Sequence, residues 1–320
     1  MSTSHLKNED PIVQRLNAVV DSYPDLRVPA RLYQAILPLI RDAVIHVSPL
    51  QLDTVKVNAF LETGVPVLSG IELELEFQEL KELLLQLISA VESLNASEEK
   101  PRRWKVWQHT SNSKEKEDQA EYRSLNTAAA RIRKSYTDGC LDLGEVLEFA
   151  ASGKYEGVSE IAGKLQLDIK LLYTLAQNAL KPVLHSCRRE ITPLITQQLH
   201  WDKDFCFICG SRATIGELQE NDQVKHLRCG QCGADWHFNR LQCLHCGNMN
   251  HATQQNLYVD GCDSRRIEVC DVCHGYLKVI TSFIPTPPEM LAVEDLATLH
   301  LDFIAHQKGY VKAGVETIRI

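Results

Sequence analysis

The chain has 320 residues, of which 44% are hydrophobic and 24% charged. This composition is that of an ordinary globular protein and excludes disorder as the main state. The formal net charge of −8 disfavours a polyanionic partner such as nucleic acid. The first residues lack a basic segment followed by an apolar stretch, and the best apolar run, Leu83–Val91, is too short to cross a bilayer. The sequence therefore predicts a cytoplasmic protein without a membrane partner.

Apolar residues at three- and four-residue spacing predict a helical domain over residues 1–200. The clearest helix covers Ile71–Leu94, where glutamates fill many of the positions between the apolar ones. The further helices are predicted at Pro11–Ser22, about Ala30–His46, Glu121–Tyr136, Leu143–Ala150 and Ser159–Leu180.

Prolines and a polar stretch are expected to interrupt this helical pattern. Pro38 should kink or divide the helix near residues 30–46, because proline lacks the N–H that an interior helical residue donates. Pro182 and Pro193 should break the chain beyond Leu180 into shorter pieces. The polar stretch Ser97–Ala120 predicts an exposed connection.

Near Trp201 the pattern changes to short strand-like segments that alternate with Cys-Gly turns. The predicted strands are Val224–Arg228, Asn256–Val259, Arg265–Val269 and Leu277–Phe283. A last helix at about Glu289–His306 has an apolar face that includes Phe303. The predicted fold is α+β. A helical domain at 1–200 is followed by tandem four-cysteine modules at 201–284 (about 201–240 and 241–284) and a C-terminal helix and tail at 285–320.

Nine of the eleven cysteines lie within a stretch of 68 residues near the C-terminus. Eight of them form four Cys-x-x-Cys pairs: Cys206/Cys209, Cys229/Cys232, Cys243/Cys246 and Cys270/Cys273. Three pairs are followed directly by glycine and the fourth by His274-Gly275. A tight turn lets two such thiolates point at one metal, and the glycine supplies its positive φ. In a reducing compartment metal ligation is favoured over disulfides, so we predict that all eight cysteines ligate metal.

The spacing of the pairs favours two separate four-sulfur sites. Nineteen residues lie between the first and second pairs and twenty-three between the third and fourth, but only ten between the second and third. Four-cysteine sites usually have about 15–20 residues between pairs. We therefore expect the first pair to join the second and the third to join the fourth, in the tetrahedral geometry of zinc or a single iron ion. A cross-braced pairing, a catalytic dithiol and an iron–sulfur cluster remain as alternatives.

The remaining cysteines and the nearby histidines are not needed as ligands. We expect Cys140, Cys187 and Cys262 to be small buried residues. Five histidines lie near the pairs: His226, His237, His245, His251 and His274. We expect none of them to ligate a metal and His245 to be exposed on its turn.

Neither nucleic-acid binding nor catalysis is supported by the remaining residues. Residues 201–320 carry 11 Lys and Arg against 15 Asp and Glu, so eight thiolates and two divalent ions would bring this part to a net charge of about −8, which repels phosphates. Arg265-Arg266 is the exception and is interpreted as a solvated strand end. The common hydrolase, phosphate-loop and dinucleotide motifs are absent. A four-sulfur site also has no open coordination position, so we predict that the protein is not an enzyme.

The cysteine region resembles the formate dehydrogenase accessory protein family, FdhE. The resemblance rests on Cys229-x-x-Cys232-x-x-x-Trp236-x-x-x-Arg240-x-x-Cys243-x-x-Cys246-Gly247 and on three further segments. These are Trp201 with Cys206-Phe-Ile-Cys209-Gly210, then Glu268-Val-Cys270-Asp-Val-Cys273-His-Gly-Tyr276-Leu-Lys278, and Glu294-Asp-Leu-Ala-Thr-Leu-His-Leu-Asp-Phe303. One departure is Phe207, where the family commonly has proline.

The resemblance implies a cytoplasmic maturation factor for respiratory formate dehydrogenase. Members of the family resemble rubredoxins at their cysteine modules and are associated with iron. They contact the molybdenum-containing catalytic subunit before its twin-arginine export. Trp236 and Arg240 would either brace the two modules or contact that partner. The alternatives are a redox protein that passes electrons to the immature enzyme and a zinc-ribbon adaptor of an unrelated complex. The metal is iron by resemblance, with zinc as the alternative.

Overall fold

A computed structural model describes residues 10–71, 73, 77–94, 111–195, 200–220, 223–259 and 262–312. The described residues form two compact units. Unit 1 comprises those of Met1–His46 and Leu75–Val183, and unit 2 those of Val47–Glu74 and Leu184–Ile320. The helices are α1 Pro11–Ser22, α2 Arg27–Asp42, α3 Thr54–Glu62, α4 Phe77–Glu92, α5 Ser111–Thr137, α6 Leu143–Ala151, α7 Tyr155–Leu165, α8 Ile169–Ile191, α9 Leu291–Ala297 and α10 Leu299–Gln307. The strands are β1 Ile215–Gln219, β2 Val224–Arg228, β3 Asp235–His237, β4 Gln254–Val259, β5 Cys262–Cys270, β6 Gly275–Ser282 and β7 Val311–Lys312.

Unit 1 is a helical assembly centred on α4. The leucines that sequence spacing placed on one face of this helix, among them Leu80, Leu84 and Leu87, are fully buried. Helix α4 packs against α2, α5 and α6. Aspartates begin α1 and α6, where Asp10 and Asp142 each accept a hydrogen bond from a backbone N–H of the first helical turn.

The structure corrects several predicted helix boundaries. Helix α2 continues through Pro38, and α8 continues through Pro182. The predicted helix Ser159–Leu180 is instead divided at Gln166, which ends α7 with a φ of +53°. Residues 111–120 were predicted as an exposed connection but belong to α5. The rest of that connection, residues 97–110, lies outside the described residues.

Unit 2 is built on one seven-stranded sheet with the order β3-β2-β1-β6-β5-β4, and β7 pairs with β6. Two three-stranded antiparallel meanders, β1–β3 and β4–β6, meet where β1 runs parallel to β6. In each meander, one Cys-x-x-Cys pair precedes the first strand and the other lies at the turn between the second and third strands. The α+β fold with a helical N-terminal part, two tandem four-cysteine modules and a C-terminal helical segment is thus confirmed.

The C-terminal helical segment packs on the second meander. It consists of two short helices that part at Thr298, in place of the single predicted helix. Leu301 and Ala305 of α10 pack against Ile267 and Tyr276 in the sheet. Phe303 was predicted on the buried face but is 59% exposed. Among the helices that the structure describes, none combines the length and apolar character that a membrane crossing requires.

Candidate metal centres

Each Cys-x-x-Cys pair forms a tight turn that we call a knuckle. The first is Cys206–Gly210, the second Cys229–Gly233, the third Cys243–Gly247 and the fourth Cys270–His274. In every knuckle the fifth residue donates its backbone N–H to the carbonyl of the first, over 2.8–3.0 Å. The fifth residue has positive φ in all four, +76° at Gly210 and Gly233 and +71° at Gly247. Glycine adopts this conformation without a steric penalty.

The fourth knuckle departs from the glycine rule. His274 takes the fifth position with a φ of +55°, a conformation that costs a residue with a Cβ free energy. The glycine that follows it, Gly275, has a different role. A Cβ there would lie 2.3 Å from Cδ2 of His245, so Gly275 makes room for that imidazole ring.

The structure brings the eight paired cysteines into two groups of four, one from the first and second knuckles and one from the third and fourth. The pairing that the spacing favoured is therefore confirmed, and the cross-braced alternative is wrong. We call the first group with β1–β3 the first module, and the second group with β4–β6 the second module.

The sulfur positions match a tetrahedral metal site. The sulfurs of Cys206 and Cys232 lie 3.5 Å apart, as do those of Cys209 and Cys229. In the second module the corresponding separations are 3.7 and 3.8 Å. Zinc bound at about 2.3 Å from each of four tetrahedral sulfurs would hold them about 3.8 Å apart. A disulfide would need about 2.05 Å. Both groups can hold a metal ion, and the all-thiolate donor set suits zinc or iron.

The two groups differ in their exposure to solvent. In the first group Cys206, Cys229 and Cys232 are buried and Cys209 is partly buried. In the second group Cys243 and Cys270 are buried, Cys273 is partly buried and Cys246 is exposed. The cysteine residues of the second group are therefore less buried, as a set, than those of the first.

Ionisation of the thiols is unequal within each group. Burial raises the pKa of Cys206 and Cys232 well above the ordinary value, whereas the other three thiols of the group lower the pKa of Cys209. For Cys270, burial opposes ionisation, but the backbone N–H groups of Cys273 and Val272 bring its pKa down to about 7. Each group thus contains one thiol that ionises most easily, and thiolates are the form that binds metal.

Hydrogen bonds to sulfur further support thiolate character in both groups. The backbone N–H of Ile208 lies 3.4 Å from the sulfur of Cys206, and that of Cys232 lies 3.5 Å from the sulfur of Cys229. In the second module the Gly275 N–H lies 3.4 Å from the Cys273 sulfur. Donors of this kind stabilise bound thiolates and tune the metal that they hold.

The first knuckle is covered by a segment from an earlier part of the chain. Val67 and Leu68 donate their backbone N–H groups to the carbonyls of Phe207 and Ile208, each over 2.9 Å. Phe207, which stands where the resembling family commonly has proline, is 3% exposed. Its ring contacts Trp236 with the centroids 6.2 Å apart. The departure from the family pattern therefore adds an aromatic contact and leaves both ligand positions of the knuckle unchanged.

Several charged residues of the family-like segments form buried ion pairs that brace the second module. Lys278 on β6 is 1% exposed in its side chain, and its ammonium lies 2.7 Å from carboxylate oxygens of both Asp295 and Asp302. The hydroxyl of Tyr276 donates to Asp302 over 2.8 Å. These contacts tie β6, which begins directly after the fourth knuckle, to α9 and α10.

A second buried polar cluster lies in the first module and was missed by sequence reasoning. Glu217 on β1 has no exposed side-chain surface and forms an ion pair with Arg228 on β2. The Glu217 carboxylate also accepts hydrogen bonds from the hydroxyls of Ser282 and Thr286. Burial alone would raise the pKa of Glu217, but these donors and Arg228 hold it below the ordinary value. The sequence signal for this cluster would have been a glutamate and an arginine on neighbouring strands, but the sequence alone does not show which strands are neighbours.

Trp236 and Arg240, which lie between the second and third cysteine pairs, have different environments. Trp236 is 2% exposed, and its indole N–H lies 3.4 Å from the carbonyl of Lys203, so its packing role is supported. Arg240 is exposed. Arg265 and Arg266, which were interpreted as a solvated strand end, instead pair with Glu294 at 3.3 Å and with Glu268 at 2.7 Å.

Two further expectations about single residues are wrong, and one is met. His245 is partly buried, with Nε2 3.0 Å from the carbonyl oxygen of Tyr276, where an exposed ring was expected. Cys140 is exposed, whereas Cys187 is buried as expected. The side chain of Cys262 lies outside the described residues. No histidine belongs to either four-sulfur group that the described residues form.

Comparison with known proteins agrees with this arrangement. Residues 241–318 match the family model described as FdhE, C-terminal domain. A protein FdhE homolog from Aquifex aeolicus is 25% identical over 178 residues, or 54% of this chain and 57% of the relative. A homolog from Shewanella baltica is 34% identical over 111 residues, or 34% of this chain and 36% of the relative. The matched stretches thus span little more than half of the first relative and about a third of the second.

The fold has a solved counterpart. The crystal structure of the FdhE protein from Pseudomonas aeruginosa superposes with a TM-score of 0.57, at 19% sequence identity, over 94% of this chain and 92% of that one. This likeness shows a shared fold over nearly the whole length. The sequence matches confirm the resemblance to the FdhE family.

Proposed function

With the resemblance to the FdhE family confirmed, we propose that this chain is a cytoplasmic accessory factor required for the maturation of respiratory formate dehydrogenase. It binds the immature catalytic subunit before export, through the platform that the two modules form. The observation that carries this proposal is the pair of four-sulfur groups, the second of which lies wholly within the residues that match the FdhE C-terminal domain.

In this proposal all eight paired cysteines ligate metal, one ion for each module. The preformed sulfur separations of 3.5–3.8 Å support it, because unligated thiols have no reason to converge four at a time. The metal in each module then joins its two knuckles through four metal–thiolate bonds. Its removal should loosen the strand ends that the knuckles join, since metal binding and folding are linked in small metal modules.

A binding role is favoured over a catalytic one by the coordination chemistry. Four protein sulfurs complete a tetrahedral site and leave no position at which a substrate could reach the metal.

A second candidate function is supported by one observation, the exposure of Cys246. If the ions are iron, an exposed ligand sulfur would offer a route for one electron to pass between the second module and the immature enzyme. The visible absorbance of protein purified without oxygen separates the two candidates, because oxidised iron–thiolate sites are coloured and zinc sites are colourless. A colourless, fully metal-loaded protein would end the electron-transfer candidate.

Direct binding tests the assembly role. Purified full-length protein should bind the catalytic subunit isolated before its cofactor is inserted, and should bind the finished enzyme more weakly. Replacement of Cys206 and Cys209 by serine should abolish binding through loss of the first module. Equal binding by the double variant, at confirmed loss of one metal ion, would contradict the proposed platform.

A further inference from the structure

The two modules repeat one chain order, so each position in the first has a counterpart in the second. Both run knuckle, strand, strand, knuckle, strand, and each set of three strands is an antiparallel meander. The first knuckle therefore corresponds to the third. Phe207 corresponds to Leu244, Ile208 to His245 and Cys209 to Cys246.

The first knuckle shows what kind of chain segment such a turn can accept. Its two central carbonyls receive consecutive backbone N–H groups from Val67 and Leu68. Val67 is fully buried, and Pro66 approaches Gly210 closely enough that a Cβ on that glycine would lie 3.4 Å from Cγ of the proline. The covering segment is thus apolar and recognised through its main chain.

The third knuckle lacks such a cover within the part of the chain that the structure describes. There, no N–H group donates to the carbonyl of Leu244 or of His245. Leu241 and Met249, which flank this knuckle, are 52% and 57% exposed. Its second cysteine, Cys246, is exposed, whereas its counterpart Cys209 is partly buried.

We propose that the third knuckle, Cys243–Gly247, docks an extended apolar segment of another protein. The segment donates two consecutive main-chain N–H groups to Leu244 and His245, packs on Leu241 and Met249, and shields the Cys246 sulfur. Main-chain pairing of an added segment gives affinity, and the flanking apolar side chains give selectivity. The intramolecular cover of the first knuckle is the template for this mode. The occupant is the extended apolar segment of a partner protein, and under the proposed function that segment belongs to the immature catalytic subunit.

A peptide probe tests the docking mode on the full-length, zinc-loaded protein. The probe is the chain's own cover sequence, Thr63–Gly70, as a synthetic peptide. The chain has 3 methionines, so methyl-labelled methionine gives a simple NMR spectrum in which Met249 reports on the third knuckle and Met290 serves as the internal reference. The peptide should shift the Met249 methyl signal in a saturable manner and leave Met290 unchanged. Absence of any Met249 shift at millimolar peptide would overturn the proposal.

Two controls distinguish main-chain docking from nonspecific binding of an apolar peptide. A peptide N-methylated at the residues matching Val67 and Leu68 cannot donate the two hydrogen bonds and should bind about ten-fold or more weakly. Leu241→Asp should weaken binding of the unmodified peptide similarly, whereas Phe303→Asp, at an equally exposed site on α10, should leave it within two-fold. Equal binding of the two peptides would contradict the mode even if Leu241→Asp failed to fold.

The result of the peptide-binding test does not depend on the proposed function. Normal formate dehydrogenase activity in cells without the protein would reject the maturation role and leave the peptide result standing. In the opposite case, a protein that supports maturation but shows no methyl shift with the peptide would reject the docking site alone.

Discussion

Lys225 on β2 and Glu268 on β5 form an ion pair across the interior of the second unit, with the ammonium 2.5 Å from the carboxylate. The Lys225 side chain is 1% exposed and that of Glu268 is 18% exposed. The pair links the strand that leads into the second knuckle with the strand that leads into the fourth. It is therefore a direct tie between the two modules. Burial would raise the pKa of Glu268, but the charges of Lys225 and Arg266 keep it below the ordinary value.

Removal of one partner of this pair should be strongly destabilising. Lys225→Met should lower the free energy of unfolding of the zinc-loaded protein by about 3 kcal/mol, because it leaves a buried carboxylate without its main counter-charge. Urea unfolding at neutral pH measures this loss. Lys308→Met, at an exposed site, is the control and should change the value by less than about 0.5 kcal/mol. The double variant Lys225→Met/Glu268→Gln should lose less free energy of unfolding than the two single variants together. Strictly additive losses would contradict an interaction between Lys225 and Glu268.

The second module should release its metal before the first. A chromogenic chelator added to the zinc-loaded protein should reveal two phases of equal amplitude, with the faster at least about ten-fold quicker because Cys246 is exposed. Cys246→Ser should remove the fast phase by emptying the second module, whereas Cys209→Ser should remove the slow one. A single phase would contradict the claim that the less buried second module releases its metal first. So would loss of the slow phase in Cys246→Ser and of the fast phase in Cys209→Ser.

Relief of backbone strain in the fourth knuckle should tighten metal binding there. His274→Gly replaces a residue held at a φ of +55° and should favour the folded knuckle by about 1 kcal/mol. The reciprocal change, Gly247→Ala, puts a Cβ at a φ of +71° in the third knuckle and should weaken binding by a similar amount. Zinc competition titrations measure both effects. Weaker zinc binding by His274→Gly would show that the contacts of the His274 ring contribute more to binding than the backbone strain costs.

The segment that includes β7 should help to retain the metal of the second module. The hydroxyl of Tyr310 donates to Asp271 of the fourth knuckle over 2.6 Å, and the N–H of Val311 donates to the His274 carbonyl over 2.8 Å. Tyr310→Phe should weaken zinc binding at the second module about five- to ten-fold, the net contribution of a typical hydrogen bond. Tyr258→Phe, at a 55% exposed position, is the matched control. An unchanged chelator-release rate in Tyr310→Phe would show that the segment has no such role.

Local chemistry made the four-sulfur sites predictable. The Cys-x-x-Cys spacing, followed in three of the four pairs by glycine, is enough to predict each knuckle. The number of residues between the pairs was enough to predict which knuckles share a site. Helix α4 was also predictable, because its buried apolar face is visible as a three- and four-residue spacing in the sequence.

Features that depend on distant partners were not predictable. Helix α8 continues through Pro182 because Leu175, Ala179 and Val183 are buried around it, which outweighs the local cost of proline. Strand β1 is fully buried although it contains Glu217 and Gln219, because Glu217 forms an ion pair with Arg228 on β2. Nothing near Val67 marks it as the cover of a knuckle 140 residues later.

Formate dehydrogenase activity in intact cells tests the central claim most directly. Cells that lack the gene should lose respiratory formate dehydrogenase activity and recover it with the wild-type chain. Neither Cys206→Ser/Cys209→Ser nor Cys243→Ser/Cys246→Ser should restore it, whereas Cys140→Ser, at an exposed cysteine outside both groups, should restore it fully. Wild-type activity in the deleted strain would contradict the maturation role, and full rescue by either double variant would contradict its dependence on the metal modules.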